Sequence, residues 1–395
     1  MKRFRRETCR TVGAIAAFVA TVLLGVARLA AEDWPHWRGP NWDGTTPEKV
    51  GTPDLARADI LWRAKVGKGW SSVAVVKDRC YTMGNADDRD TLFCLDATSG
   101  KVLWDKSYDC PDGNYPGPRA TPTVDAGRVY ILSRQGDLRC YDAITGDEKW
   151  AVKIDARPPS WGFTGSVRVF GKHILVNVGG QGLAFDKESG REVWGSTDGK
   201  SGYATPVVWQ RSGQARVLVF SAKGLIAVRA DNGRPLWSFG WETKYDVNAA
   251  DPIVLPDGNI FISSGYDRGC ALLTPDGKRV WENTNMRNHF NTCVLKDGFL
   301  YGIDENQLRC LDAKTGEVKW TEESPRKGGL ILADDTLVIL GERGELILAK
   351  ATPESFQAIT RGPVISGLCW TPPTLSGGRV FCRTSSGDVA CVSVK

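Results

Sequence analysis

Apolar and polar residues alternate in short runs along most of this chain, and no stretch beyond the N-terminus keeps a helical period. Arg128–Ser133 reads RVYILS; a Gln-Gly follows, and then Asp137–Ala143 reads DLRCYDA. Two alternating runs around a glycine turn predict a β-hairpin. A third run, EKW at 148–150, predicts an outer strand after the next turn, and Ala120–Val124 (ATPTV) predicts an inner strand before the hairpin. Four short strands make one unit.

The unit recurs. Leu95–Trp104 reads LDATSGKVLW, Tyr141–Trp150 reads YDAITGDEKW, Phe185–Trp194 reads FDKESGREVW, and Leu311–Trp320 reads LDAKTGEVKW; shorter copies end at Trp237 and Trp281. Successive tryptophans from Trp104 lie 46, 44, 43, 44 and 39 residues apart, a period that fits propeller blades rather than helical repeats. In each copy the Asp starts a turn, where its side chain reaches backbone two residues on, and the Gly supplies a left-handed conformation. Ala349–Phe356 (AKATPESF) is a degenerate copy expected to end a seventh unit at Phe356. The C-terminal segment stops without an outer strand, whereas ADILWRAKV around Trp62 is an outer strand with no unit before it. The two are expected to complete each other. The expected fold is therefore all-β: an eight-bladed propeller over residues 58–395, of four-stranded antiparallel blades, with the N-terminal strand closing the ring.

The first 31 residues have a basic start, an apolar run from Val12 to Ala27 and a small-residue end, in signal-peptide order. The expectation is a cleaved signal ending at Ala31, with an uncleaved anchor over residues 11–28 as the alternative. Either implies export to the periplasm or cell envelope, with membrane contact only through that segment. Residues 32–57 read as an extended arm whose Trp34, Trp37 and Trp42 are expected to lie against the propeller. The net charge of +5 resides entirely in residues 1–31, with six basic residues against Glu7, so the rest is neutral and nucleic acid is not expected as a partner.

Chemical motifs are sparse. The eleven cysteines show no C-x-x-C spacing, and Cys94, Cys140, Cys310 and Cys391 recur at one strand position before the turn, as small buried residues would. A two-residue Ser386–Gly387 turn would set Cys382 opposite Cys391, close enough to ask whether an exported chain oxidises the pair. Only three histidines occur, and no nucleophile elbow, P-loop or zinc motif is present. Asp96, Asp142, Asp186 and Asp312 stand one per unit, as turn residues rather than a metal ring.

The pattern Asp-x-x-Thr-Gly-x-x-x-Trp, as in Asp142, Thr145, Gly146 and Trp150, resembles the PQQ-like repeat of quinoprotein dehydrogenases and of BamB, the non-enzymatic outer-membrane-assembly lipoprotein. The opening DWPHWRGPNWDG is similar to that of exported PQQ-like propeller proteins of planctomycete-type bacteria. The resemblance implies that Trp62, Trp104, Trp150, Trp194, Trp237, Trp281 and Trp320 dock neighbouring blades. It implies neither activity nor cofactor by itself. A quinoprotein dehydrogenase would carry adjacent cysteines over its cofactor, and none occur here.

Loops on a rigid scaffold carry function. The connections from outer to inner strands are long, varied and rich in aromatic and basic residues. Arg119, Trp161, Phe163, Tyr203, Trp241, Arg287 and Trp370 are the candidate partner-binding residues on that face, with loop packing as the alternative role. The expectation is a non-catalytic exported scaffold binding a protein or glycan, with no catalytic residue, metal or cofactor. The alternative is a divergent dehydrogenase holding PQQ and calcium in the channel.

Overall fold

A computed structural model describes Met1 and residues 32–395. The expected signal or anchor segment lies outside the described residues. Eight sheets follow one another around a ring, each wound from an inner to an outer strand. Blade 1 runs Ala74–Val76, Arg79–Ala86, Arg89–Asp96 and Val102–Asp109, all antiparallel. Blade 8 combines three C-terminal strands with Ile60–Lys65, which pairs antiparallel with Asp388–Ser393 and closes the ring as expected.

Burial is graded outward. Middle strands such as Arg128–Leu132 are buried on both faces by adjoining blades, whereas outer strands such as Glu148–Lys153 are mostly exposed. The core is thus a set of clusters between blades, not one central core: Tyr130, Leu138 and Cys140 of blade 2 pack with Ile174, Val176 and Phe185 of blade 3.

The repeat motif performs two tasks. Asp142 Oδ1 accepts from the backbone N–H of Ile144 (2.9 Å) and Thr145 (3.0 Å), and these bonds hold its carboxyl below the usual range. Gly146 follows at φ +72°, beneath the Trp104 ring of the preceding blade; a Cβ there would lie 2.8 Å from it. The same stack recurs as Trp62 over Gly100, Trp150 over Gly190, Trp194 over Gly233, Trp237 over Gly277 and Trp281 over Gly316. The indole N–H groups of Trp62, Trp150, Trp194, Trp237 and Trp320 donate to a turn carbonyl of the next blade at 2.8–3.2 Å. In blade 2 the matching Ala143 carbonyl is taken by the Tyr81 hydroxyl instead, at 2.9 Å, which leaves Trp104 docked by its ring alone.

Two expectations change. The seventh unit does not end at Phe356. Its outer strand is Ala358–Pro363, Thr360 takes the register position of the tryptophan, and Phe356 lies near the Trp320 ring at 5.7 Å. The last hairpin has a three-residue loop, with Thr384 N–H donating to Asp388 O (2.9 Å) and Gly387 at φ +93°. Cys382 therefore pairs with Ala390, and Cys391 with Phe381. One residue of slip moves a side chain to the other sheet face, so Cys382 and Cys391 are not opposed. All ten described cysteines are buried and free.

The arm crosses the ring on its short-turn face. Asp33 accepts from Lys77 N–H in the first turn of blade 1, and the Glu48 carboxylate accepts from Gly377 and Gly378 N–H in blade 8. Between them Trp34 bridges Val75, and Thr45–Thr46 pairs in parallel with the inner strand of blade 7. The arm then runs outward. Buried Leu55 donates its N–H to Thr360 Oγ1 (3.2 Å), at the position where blade 7 lacks a tryptophan, just before the closing strand.

Candidate functional site

The long connections surround a cavity of about 370 Å³ at the channel mouth. Its walls come from nearly every blade, because each inner strand delivers one connection to the same rim. Trp161 and Tyr203 form one side, with ring centroids 5.8 Å apart. Trp70 and Trp370 stack at 5.1 Å on another, and Phe290 meets Trp370 at 4.9 Å. His289 stacks on Phe290 at 3.9 Å, and burial holds its imidazole far below the usual value, at about 3, with Lys327 contributing. It is therefore neutral despite lying 3.6 Å from Glu305.

The floor is the arm. Trp37 and Asp251 both line the cavity, and Trp37 Nε1 donates to Asp251 Oδ2 at 2.7 Å. Asp251 also accepts from Thr205 N–H (2.7 Å) and faces buried Arg38 at 3.9 Å. Burial pushes its carboxyl up, and Arg38 and Trp37 oppose that. Arg38 in turn donates to the Cys293 carbonyl of blade 6 (3.0 Å), so one arm residue ties the centre of the ring together.

Four of the seven candidate residues meet in the cavity: Arg119, Trp161, Tyr203 and Trp370. Arg119 is engaged already, donating to the carbonyls of Tyr115 (2.8 Å) and Trp161 (3.0 Å), so it holds two loops together. The other three lie elsewhere. Phe163 is in the core between blades 2 and 3. Trp241 is fully buried, donates to Ser264 Oγ (3.1 Å) and lies under Arg268. Arg287 is held by Asp304, with Nε–Oδ1 at 2.8 Å and Nη2–Oδ2 at 2.9 Å.

The sequence did not point to Trp70, Tyr266 or Lys327 as site residues, and it placed Trp37 only in an arm lying against the propeller. Trp70 had a signal, since it sits in the connection from the closing strand to blade 1, equivalent to the others. Tyr266 lies in the loop between the two middle strands of blade 5, on the same face. Among the described residues, no group of three His, Cys, Asp or Glu side chains stands together to hold a metal ion.

The family described as outer membrane protein assembly factor BamB matches residues 49–195, 112–322 and 306–395. The chain is 28% identical to BamB of Burkholderia pseudomallei (strain K96243) over 51% of this chain and 56% of that one. It is 26% identical to quinohemoprotein alcohol dehydrogenase ADH-IIG of Pseudomonas putida over 46% of this chain, and spans 28% of that protein. The structure of BamB from Moraxella catarrhalis superposes with a TM-score of 0.65 at 15% identity, over 85% of this chain and all but 1% of that one, a likeness of fold. Matched over nearly the whole propeller, the chain belongs to the BamB-type family of PQQ-like repeat propellers.

Proposed function

We propose that this chain is a non-catalytic binding propeller of the cell envelope, which captures a partner protein on the face that carries the aromatic cavity. The observation that carries this reading is the cavity's construction. It is walled by rings, closed below by Trp37, and the one carboxylate among its described lining residues, Asp251, is held by Trp37, Thr205 and Arg38. Aromatic faces around a concave site favour binding. The name of the relatives, outer membrane protein assembly factor, supports a protein partner and an envelope address. The N-terminal segment would serve as the export signal or anchor.

The alternative, a PQQ-dependent dehydrogenase, draws on the likeness to the quinohemoprotein. The residues do not fit its calcium centre. Calcium takes six to eight oxygen ligands, carboxylates prominent among them, whereas Asp251 is the one carboxylate among the described lining residues and is already bonded.

The test is capture from cell envelopes by the full chain and by a Trp161→Ala, Trp370→Ala variant. Loss of a captured partner at an unchanged unfolding midpoint supports the reading; unchanged capture rejects it. Titration with PQQ and calcium tests the alternative, which requires saturable heat near one equivalent and dye reduction.

A further inference from the structure

The cavity's open groups define what can enter it. Its Ser and Thr hydroxyls are engaged: Thr164 donates to the Tyr203 carbonyl (2.7 Å), Thr371 to the Trp70 carbonyl (3.0 Å), and Ser166 and Thr205 accept backbone N–H groups at 2.9 and 3.0 Å. A glycan, which must recover many hydrogen bonds lost from water, finds few partners here. Arg119 is spent on carbonyls and Asp251 on its own ion pair.

What stays open is cationic and aromatic. Lys327 Nζ lies 5.6 Å from the Phe290 ring centroid and 5.5 Å from that of Trp370, and none of the described carboxylates pairs with it. Around it stand the rings of Trp70, Phe290 and Trp370. The complement of this set is a ring beside a carboxylate.

The rings extend beyond the cavity. Tyr115 meets Trp370 at 6.5 Å; beyond His289, Tyr266 follows at 4.5 Å and Tyr245 at 5.0 Å from Tyr266. Tyr115 and Tyr245, 54% and 48% exposed, stand at the two ends of this path. Tyr115 lines the cavity, whereas Tyr245 stands outside it; a ligand confined to the cavity leaves Tyr245 in water, and an extended chain crossing the mouth covers it.

We propose that the cavity takes the aromatic side chain of an extended, acidic segment of a partner protein, with a neighbouring Asp or Glu carboxylate on Lys327. This rests on the protein-binding reading above.

The test is fluorescence polarisation of the full chain with a dye-labelled, end-blocked peptide Gly-Asp-Phe-Asp-Gly. One counterpart has Asn for both Asp residues, and another has Ala for Phe. Saturable binding of the parent, at least about tenfold tighter than either counterpart, is expected from one charge-assisted contact and one buried ring. Lys327→Met should bring the parent down to the Asn counterpart and leave that counterpart unchanged. Equal binding of all three peptides overturns the proposal. So does free phenylacetate competing as tightly as the parent peptide, which would make the occupant a small aromatic acid. If no peptide binds while Trp370→Ala still loses its captured partner, this inference falls and the binding function stands. If Trp370→Ala and Trp161→Ala together retain capture, the function itself falls.

Discussion

Trp37 of the arm donates its indole N–H to the Asp251 carboxylate at 2.7 Å and so closes the floor of the cavity. Behind this bond stands Arg38, buried and facing the same carboxylate at 3.9 Å. Removing one partner of a buried ion pair leaves the other charge uncompensated. Asp251→Ala should lower stability by about 3 kcal/mol in urea denaturation, whereas Trp37→Phe, which loses only the hydrogen bond, should cost about 1 kcal/mol. Equal costs for the two would show that the ion pair does not pin the arm.

The glycine turns offer a controlled comparison. Gly127 and Gly146 both have left-handed backbone, at φ +79° and +72°, but only Gly146 lies beneath a ring; nothing stands within 4 Å of a Cβ at Gly127. Gly127→Ala should cost about 1 kcal/mol, the strain alone. Gly146→Ala should cost about 2 kcal/mol more, because Trp104 must move. Chemical denaturation of the two variants measures the docking stack separately from the turn.

Arg383 secures the seam where the ring closes. From blade 8 its guanidinium donates to Ser71 O (2.9 Å), Thr82 Oγ1 (2.7 Å), Met83 O and Gly67 O (3.2 Å), around blade 1. None of the described carboxylates pairs with it, and burial draws its pKa down to about 9. Arg383→Met should destabilise by about 3 kcal/mol by leaving buried acceptors unpaired. Arg383→Lys should not rescue, since an ammonium lacks the planar fork. Full rescue by Lys, read from the denaturation midpoint, would show that charge rather than geometry holds the seam.

Acid should weaken the fold before most carboxylates titrate. Burial holds His36 and His289 at about 3, against 6.5 for a free imidazole. Between those values the unfolded chain binds more protons, so stability falls as pH is lowered through 6.5 and is unaffected by these groups above it. Each contributes a slope of about 1.4 kcal/mol per pH unit. The denaturation midpoint should drop between pH 7.5 and 5.5, and the His36→Gln, His289→Gln double variant should show a flatter profile. An unchanged slope would exclude these histidines as its source.

The repeat was legible because its determinants are local. Asp142, Gly146 and Trp150 lie within nine residues, and turn geometry together with strand alternation fixes their roles before any neighbour arrives. The closing strand around Trp62 was legible for the same reason: it carries the outer-strand pattern without the rest of a blade. Loop side chains follow no period, so residues of one type diverged. Trp161 and Trp370 line the cavity, while Phe163 and Trp241 turn into blade cores. The Cys382 register hung on one loop residue that alternation does not count. Trp37 and Asp251, 214 residues apart, became neighbours only when eight blades closed and the arm crossed beneath them. The sequence alone determined the blade, its turns and the number of copies, which depend on contacts a few residues apart; the tertiary structure decided the cavity, its floor and its charge, which depend on loops that meet only around a finished ring.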